Sequence, residues 1–156
     1  MTGSIHSINI SDGGVPKLPV RDSNLGIDGF EGDFNTFRME SRLGDRDRAV
    51  CIFSLERIES LKIEGHPIEV GTAGENLTVK GVDWDSLEAG TRMEVGSAVI
   101  ELSEPCAPCG KIGSSFMKRK FARIDHEMEE GWSRWLARVV EEGRVSVGDL
   151  VNIVNT

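Results

Sequence analysis

The sequence predicts a mostly β, barrel-like fold with a few short peripheral helices. Eighteen glycines occur at irregular intervals, short apolar runs lie between them, and few segments have helical periodicity. Short apolar runs separated by glycines are typical of strands joined by tight turns. Closure of such strands into a barrel removes the unpaired edges that an open sheet would expose.

Seven strands are predicted from the apolar runs. Gly96 and Ser97 offer a hairpin turn between the fourth and fifth of them. The segment 139–145, which contains Gly143, reads as a second hairpin. The predicted strands are 4–10, 49–53, 76–80, 91–95, 98–103, 132–140 and 147–154.

Helical signals are scarcer. Ser54 can cap a helix that places Ile58 and Leu61 on one face, because they are three residues apart. Gly65 then provides the left-handed residue at which that helix ends. A second short helix is predicted over residues 114–123.

The size and charge of the chain limit the classes of function. Its 156 residues are interpreted as one domain, 1–156, with enough chain to bury a core. No apolar run is long enough to cross a bilayer, and the first residues have no signal-peptide pattern. Three cysteines, an odd number, do not form a disulfide framework, which favours the cytoplasm. The net charge of −8 argues against nucleic acid as a partner, and a membrane partner is not expected.

The most informative motif is Pro105-Cys106-Ala107-Pro108-Cys109. Each proline fixes its own φ and biases the preceding residue toward extended geometry, so both thiols sit on a stiff, non-helical segment. A thiol held in this way can be a soft metal ligand, a redox group or a nucleophile.

Several interpretations of this motif remain open. A zinc site needs about four ligands, and the chain has no second cysteine pair, while Cys51 lies in an apolar strand and is expected to be buried. A thioredoxin-type couple requires a helix start in a βαβ framework, which this mostly β pattern does not favour. The remaining possibilities are one reactive or metal-binding thiol, with the other cysteine incidental, or two packed cysteines on a rigid turn.

Three other segments could contribute to a site. Residues 11–17 contain adjacent glycines, whose backbone N–H groups can bind an anion, although a tight turn with an exposed lysine is the simpler interpretation. Arg48 lies in the segment 47–50, where a strand starts, and its side chain could point into a site. Glu75 and Asn76 follow Gly74 at the beginning of another strand, where they would ordinarily be turn residues.

Taken in order, several segments resemble the MOSC domain, which is the C-terminal domain of molybdenum-cofactor sulfurases and also occurs as small stand-alone bacterial proteins. The matching segments are 11–17, 29–33, 47–50, 64–68, 71–78, 108–109, 131–132 and 137–139. The family's signature cysteine follows a proline and corresponds to Cys109, which makes Cys106 an extra. Where relatives commonly have His-Gly-Gly, this chain has Leu43-Gly44-Asp45, so the role of that histidine is absent here.

The resemblance implies a MOSC-type β-barrel that binds molybdenum cofactor (molybdopterin), with Cys109 as catalytic residue and metal ligand. Some relatives use such a site to reduce N-hydroxylated compounds with electrons from redox partners. The alternatives are a sulfur-transfer module, in which Cys109 carries a persulfide received from a sulfur-donor protein, and a non-catalytic cofactor carrier. Pyridoxal phosphate is not expected to bind this domain. The expected cofactor-binding residues are Lys17, Arg48, Glu75, Asn76 and Arg138.

Overall fold

A computed structural model describes residues 2–34 and 44–154 and confirms the predicted barrel. Leu43, at the position of the family histidine, lies outside the described residues. The strands are β1 (Thr2–Ile10), β2 (Leu18–Val20), β3 (Asp22–Gly26), β4 (Gly29–Phe30), β5 (Val50–Ser54), β6 (Leu77–Lys80), β7 (Arg92–Val95), β8 (Ala98–Cys106), β9 (Arg134–Glu141), β10 (Gly143–Ser146) and β11 (Leu150–Val154). Seven of them form the barrel in the order β11-β7-β8-β9-β5-β6-β1, which β11 closes by pairing with β1.

Sequence patterns did not predict three of the strands, β2, β3 and β4, and they predicted the wrong partner for a fourth, β10. β2 pairs with the end of β1 outside the closed ring, and β10, β3 and β4 form a separate three-stranded sheet. The predicted hairpin over 139–145 is therefore wrong, because β10 pairs with β3 instead of folding back on β9. At the crossing, a Cβ on Gly143 would lie 2.5 Å from the carbonyl oxygen of Ser97, so the chain passes directly over the β7–β8 turn.

One α-helix, α1 (Leu55–Ile63), is found in the described part of the chain, at the predicted place. The Ser54 hydroxyl accepts a hydrogen bond from the Arg57 N–H at 3.2 Å, and Ile58 and Leu61 are buried. Gly65 has a φ of 105° just beyond the helix. Because β5 and β6 are parallel neighbours, the chain needs a crossover between them, and α1 provides it.

The second predicted helix, 114–123, is wrong. This segment consists of short 3₁₀ turns at Gly110–Ser115, Met117–Arg119 and Phe121–Ile124. Lys118 and Arg119 have φ values of 51° and 57°, in the left-handed region that an α-helix does not contain.

The main hydrophobic core fills the barrel and extends under α1. Inward-facing side chains such as Ile52 and Ile100 are fully buried there. Cys51, Cys106 and Leu136 form a second, smaller buried cluster, separate from that core. Within 2–34 and 44–154, no helix is both long and apolar enough to cross a membrane.

Candidate active site

A pocket of about 420 Å³ lies where β8 ends, β9 begins and the loop after β1 approaches them. It is lined by two cysteines, four basic residues and one carboxylate, together with residues 73–74: Cys106, Cys109, Lys17, Arg48, Lys111, Arg134 and Glu104. The charge of this pocket contrasts with that of the whole protein, which is −8. Four basic side chains around two thiols make it suitable for an anionic or thiophilic ligand.

Cys109 is the accessible thiol of the pocket. Its side chain is exposed, whereas Cys51 and Cys106 are buried. Its backbone is extended, with φ −144° and ψ 176°, directly before the 3₁₀ turn that starts at Gly110. Because neither Ala107 nor Pro108 is part of a turn or bend, the two cysteines do not have the helical arrangement of a thioredoxin-type couple. The extended backbone therefore presents Cys109 to the pocket as a separate thiol.

Arg48 lies in the same pocket as Cys109. It ends the 3₁₀ turn Arg46–Arg48, in which the Asp45 side chain accepts a hydrogen bond from the Asp47 N–H at 2.9 Å. The Arg48 side chain is only 16% exposed, and its Nη1 donates to Glu104 Oε1 at 3.1 Å. The guanidinium is thus a fixed part of the pocket wall.

Lys17 also lines the pocket, but it is not the solvated turn lysine of the simpler interpretation. Its side chain is 6% exposed, and its Nζ donates to Asp33 Oδ1 at 2.6 Å. Asp33 is also buried and accepts a second hydrogen bond from Asn76 Nδ2 at 3.0 Å. A buried ion pair of this kind has to be fully hydrogen bonded to offset its desolvation, so Lys17 stabilises the pocket wall and its charge is compensated by Asp33.

Glu75 and Asn76 do not line the pocket, contrary to the expectation from the sequence. The chain turns at Gly74, which has a φ of 82° and does line the pocket, and both following side chains then enter the interior. Thr78 donates to Glu75 Oε2 at 2.9 Å, while Asn76 Oδ1 accepts from the Cys51 N–H at 3.0 Å. Burial raises the pKa of Glu75 to about 6. Both residues therefore support the pocket from behind.

Arg138 lies outside the pocket, again contrary to expectation. It is 46% exposed and forms ion pairs with Glu101, its register partner on β8, and with Asp47 at 3.6 Å. The carboxylates of Glu101 and Asp47 therefore account for the charge of Arg138. A half-exposed pair of this type contributes about 0–1 kcal/mol to stability.

Sequence reasoning missed Arg134, which lies in the pocket and is only 6% exposed. Its Nη1 donates to the carbonyl oxygen of Ala73 at 2.7 Å, and Nη2 approaches that of Ala107 at 3.4 Å. The sequence places Arg134 and Arg138 on the same face of one strand. Their roles differ because β8 ends beside Arg134, which places this side chain in the pocket. No local sequence pattern indicates this.

The two buried thiols, those of Cys51 and Cys106, lie in one cluster. Cys51 was correctly predicted to be buried, but its contact with Cys106 was not expected. A hydrogen bond from Cys51 lowers the pKa of Cys106 to about 6, assisted by Arg134 and Arg48 and opposed by burial. The same interaction, together with burial, raises the pKa of Cys51 well above its usual range.

Comparison with known proteins places this geometry in a family. The family model for the MOSC domain matches residues 39–152. Protein YflK of Bacillus subtilis is 30% identical over 86% of this chain and 60% of its own length, and a protein called Reductase from Gibberella moniliformis is 28% identical over 71% and 20%, respectively. This chain thus spans about three-fifths of the first relative and a fifth of the second.

A solved structure has the same fold. The crystal structure of YiiM from Geobacillus stearothermophilus matches with a TM-score of 0.72 and 24% identity, covering 98% of this chain and 75% of that one. At this level of identity the likeness concerns the fold alone. The family match covers most of the chain, including β5 to β10 and every cysteine. The chain therefore belongs to the MOSC domain family.

Proposed function

We propose that this protein binds molybdenum cofactor in the pocket and reduces N-hydroxylated compounds, with the Cys109 thiolate as a ligand of the metal. The observation that carries the proposal is an exposed thiol on the wall of a pocket with four basic side chains, in a protein of net charge −8. When bound, the cofactor would supply two-electron chemistry at a metal already held by dithiolene sulfur, for which a thiolate is a matched further ligand.

The residues of the pocket fit such a group. Arg48 and Lys111 line the pocket with Cys109, and their basic side chains suit the phosphate of the pterin. Arg48 is also paired with Glu104 at the pocket wall. The Nε of Arg134 is buried and has no hydrogen-bond partner among the described residues, so this guanidinium keeps one unsatisfied donor inside the pocket wall. Lys17 is neutralised by Asp33, and we assign it to holding the loop after β1 in place.

The name of one relative supports a redox function. The Gibberella protein is called Reductase, and a region like this chain makes up about a fifth of it. We propose that the present chain receives electrons from a separate redox protein in the cytoplasm. Neither nucleic acid nor a membrane is part of this proposal.

One observation also favours sulfur transfer as a second candidate. A thiol that accepts sulfur from a protein-bound persulfide must be reachable by a macromolecule, and Cys109 is exposed. In that case Cys109 would carry the persulfide and deliver its outer sulfur to a cofactor or metal centre. A cofactor carrier without turnover is the third possibility.

Metal and pterin analysis tests the leading proposal. The protein is expressed in a host that makes molybdenum cofactor, purified without oxygen, and compared with Cys109→Ser, Cys106→Ser and the control Arg138→Gln. We expect molybdenum and pterin in the wild type, loss of metal in Cys109→Ser, and retention in the control. Equal retention in both cysteine variants would contradict the assignment of Cys109.

The candidates then separate by activity. Turnover of a hydroxylamine-type substrate by the loaded protein supports the reductase, and bound cofactor without turnover supports the carrier. A protein without molybdenum that carries a persulfide on Cys109 would replace the leading proposal with sulfur transfer.

A further inference from the structure

Cys106 is built into the pocket wall in a different way from Cys109. It is the last residue of β8 and the register partner of Arg134 on β9. Cys106 is 7% exposed, and both residues line the pocket. The Ser133 hydroxyl donates to the Cys106 carbonyl oxygen at 3.1 Å, which fixes the backbone at this point. The thiol is therefore held in place but still forms part of the pocket surface.

Arg134 is a buried cation that no carboxylate of the described residues pairs with. It forms no ion pair with the residues of 2–34 and 44–154, and its Nη groups bond only to backbone carbonyls. Its Nε has no hydrogen-bond partner in the described part of the chain. A buried guanidinium is costly unless an anion compensates it. The groups near enough to do so are Glu75 and the cysteine sulfurs.

We propose that Cys106 is a second functional thiol of this pocket, held as a thiolate by Arg134 and able to attack small, soft electrophiles that enter. This site is separate from the proposed cofactor chemistry, because it needs only the protein's own side chains. It also gives the extra cysteine of the Cys106-Ala107-Pro108-Cys109 motif a chemical role.

The groups around Cys106 support ionisation near neutral pH. Cys51 on β5 packs against Cys106, and hydrogen bonding from this thiol, together with the positive charge of Arg134 and Arg48, lowers the pKa of Cys106 to about 6 despite burial. The Cys106 sulfur also lies 4.0 Å from the carbonyl oxygen of Ala107, a contact that favours the protonated thiol. Glu104, two residues earlier on β8, also favours the protonated thiol. Glu75 acts on Cys51 in the same cluster and helps to keep that thiol protonated, which preserves the hydrogen-bond donor.

The reaction is a simple displacement. With iodoacetamide as the probe, the Cys106 sulfur forms a bond to the methylene carbon, and iodide leaves with the electron pair of the carbon–iodine bond. No redox partner is required, and the proton of the thiol has already gone to solvent. The rate therefore follows the thiolate fraction.

The test measures labelling of Cys106 against pH. In the Cys109→Ser protein without cofactor, peptide mass spectrometry follows carbamidomethylation of Cys106 from pH 4.5 to 9.5. We expect a midpoint near 6, well below the value of about 8.5 for a free thiol. A midpoint near 8.5, or no labelling of Cys106 anywhere in this range, would overturn the proposal.

Substitution of Arg134 tests whether this arginine causes the low labelling midpoint of Cys106. Arg134→Gln in the same background should raise the midpoint; a rise of about one to two pH units would lower the labelling rate at pH 6.5 by about three- to twenty-five-fold. Arg138→Gln, four residues along the same strand and outside the pocket, should leave the midpoint unchanged. Equal effects of the two substitutions would contradict the pairing with Arg134.

A further variant covers the case in which Arg134→Gln does not fold. Cys51→Ala removes the S–H donor and should also raise the midpoint. Thiolate absorbance near 240 nm in the Cys109→Ser protein gives the same titration without labelling. An unchanged midpoint in Cys51→Ala would count against the proposed cluster. Neither measurement involves molybdenum, so this proposal and the proposed function can fail independently.

Discussion

Glu75 provides a quantitative prediction, because it is a fully buried carboxylate behind the pocket. Burial raises its pKa from 4.5 to about 6, against hydrogen bonds from the backbone and Thr78 and the charge of Arg134. A rise from 4.5 to about 6 corresponds to about 2 kcal/mol at about 1.4 kcal/mol per pH unit. Since the folded state binds this proton more tightly than the unfolded chain, the contribution is present below pH 4.5 and is lost as pH rises through about 6.

The substitution Glu75→Gln removes this titration. The difference in unfolding free energy, wild type minus variant, should fall by about 2 kcal/mol between pH 4 and pH 7.5. Urea unfolding at several pH values measures it, and any constant cost of the new amide cancels. Glu88→Gln, which removes an exposed carboxylate, is the control. A difference for Glu75→Gln that does not change with pH, or that rises with pH, would refute the reasoning; a rise would mean that Arg134 outweighs burial.

Three further predictions concern stability. Lys17→Met should lower the unfolding free energy by about 3 kcal/mol, because it leaves Asp33 buried without its cation; a change below about 0.5 kcal/mol, as for a surface residue, would contradict the buried ion pair. Gly71→Ala should be more destabilising than Gly90→Ala by roughly 2 kcal/mol. Both glycines have positive φ, but a Cβ on Gly71 would lie 2.3 Å from the Lys17 carbonyl oxygen, whereas Gly90 faces open space; equal thermal unfolding midpoints would count against this clash. Ser54→Ala should cost about 1 kcal/mol in chemical unfolding by removing the cap of α1, and Ser54→Thr should restore most of it.

Much of the barrel could be predicted from local sequence patterns. Apolar runs between glycines locate the barrel strands, and Ser54 and Gly65 mark the ends of α1, because these signals depend on the backbone of a few neighbouring residues. The short strands β2, β3 and β4 have no such signal, since their pairing depends on β1 and β10. Residues 114–123 have helix-forming composition, but the chain there follows the surface in 3₁₀ turns.

The pocket was predictable only in part. Cys109 and Arg48 line it, as expected, because the extended backbone after Pro108 presents Cys109 and the 3₁₀ turn before β5 presents Arg48. Glu75 and Arg138 do not, since the turn at Gly74 and the pairing with Glu101 direct them elsewhere. Arg134 could not be distinguished from Arg138 by sequence, because the difference arises where two strands of distant sequence meet.

The side chain of Asn76 connects the pocket to the barrel in a way that affects local opening. It accepts from the Cys51 N–H at 3.0 Å and donates to the Asn9 carbonyl oxygen at 3.2 Å and to Asp33 at 3.0 Å. One buried amide thus joins β5, β1 and the segment that holds Lys17. The wall behind the thiols can then loosen only when these strands separate, so it forms one cooperative unit with the barrel. The Cys51 amide hydrogen should exchange with solvent only as fast as the whole molecule unfolds.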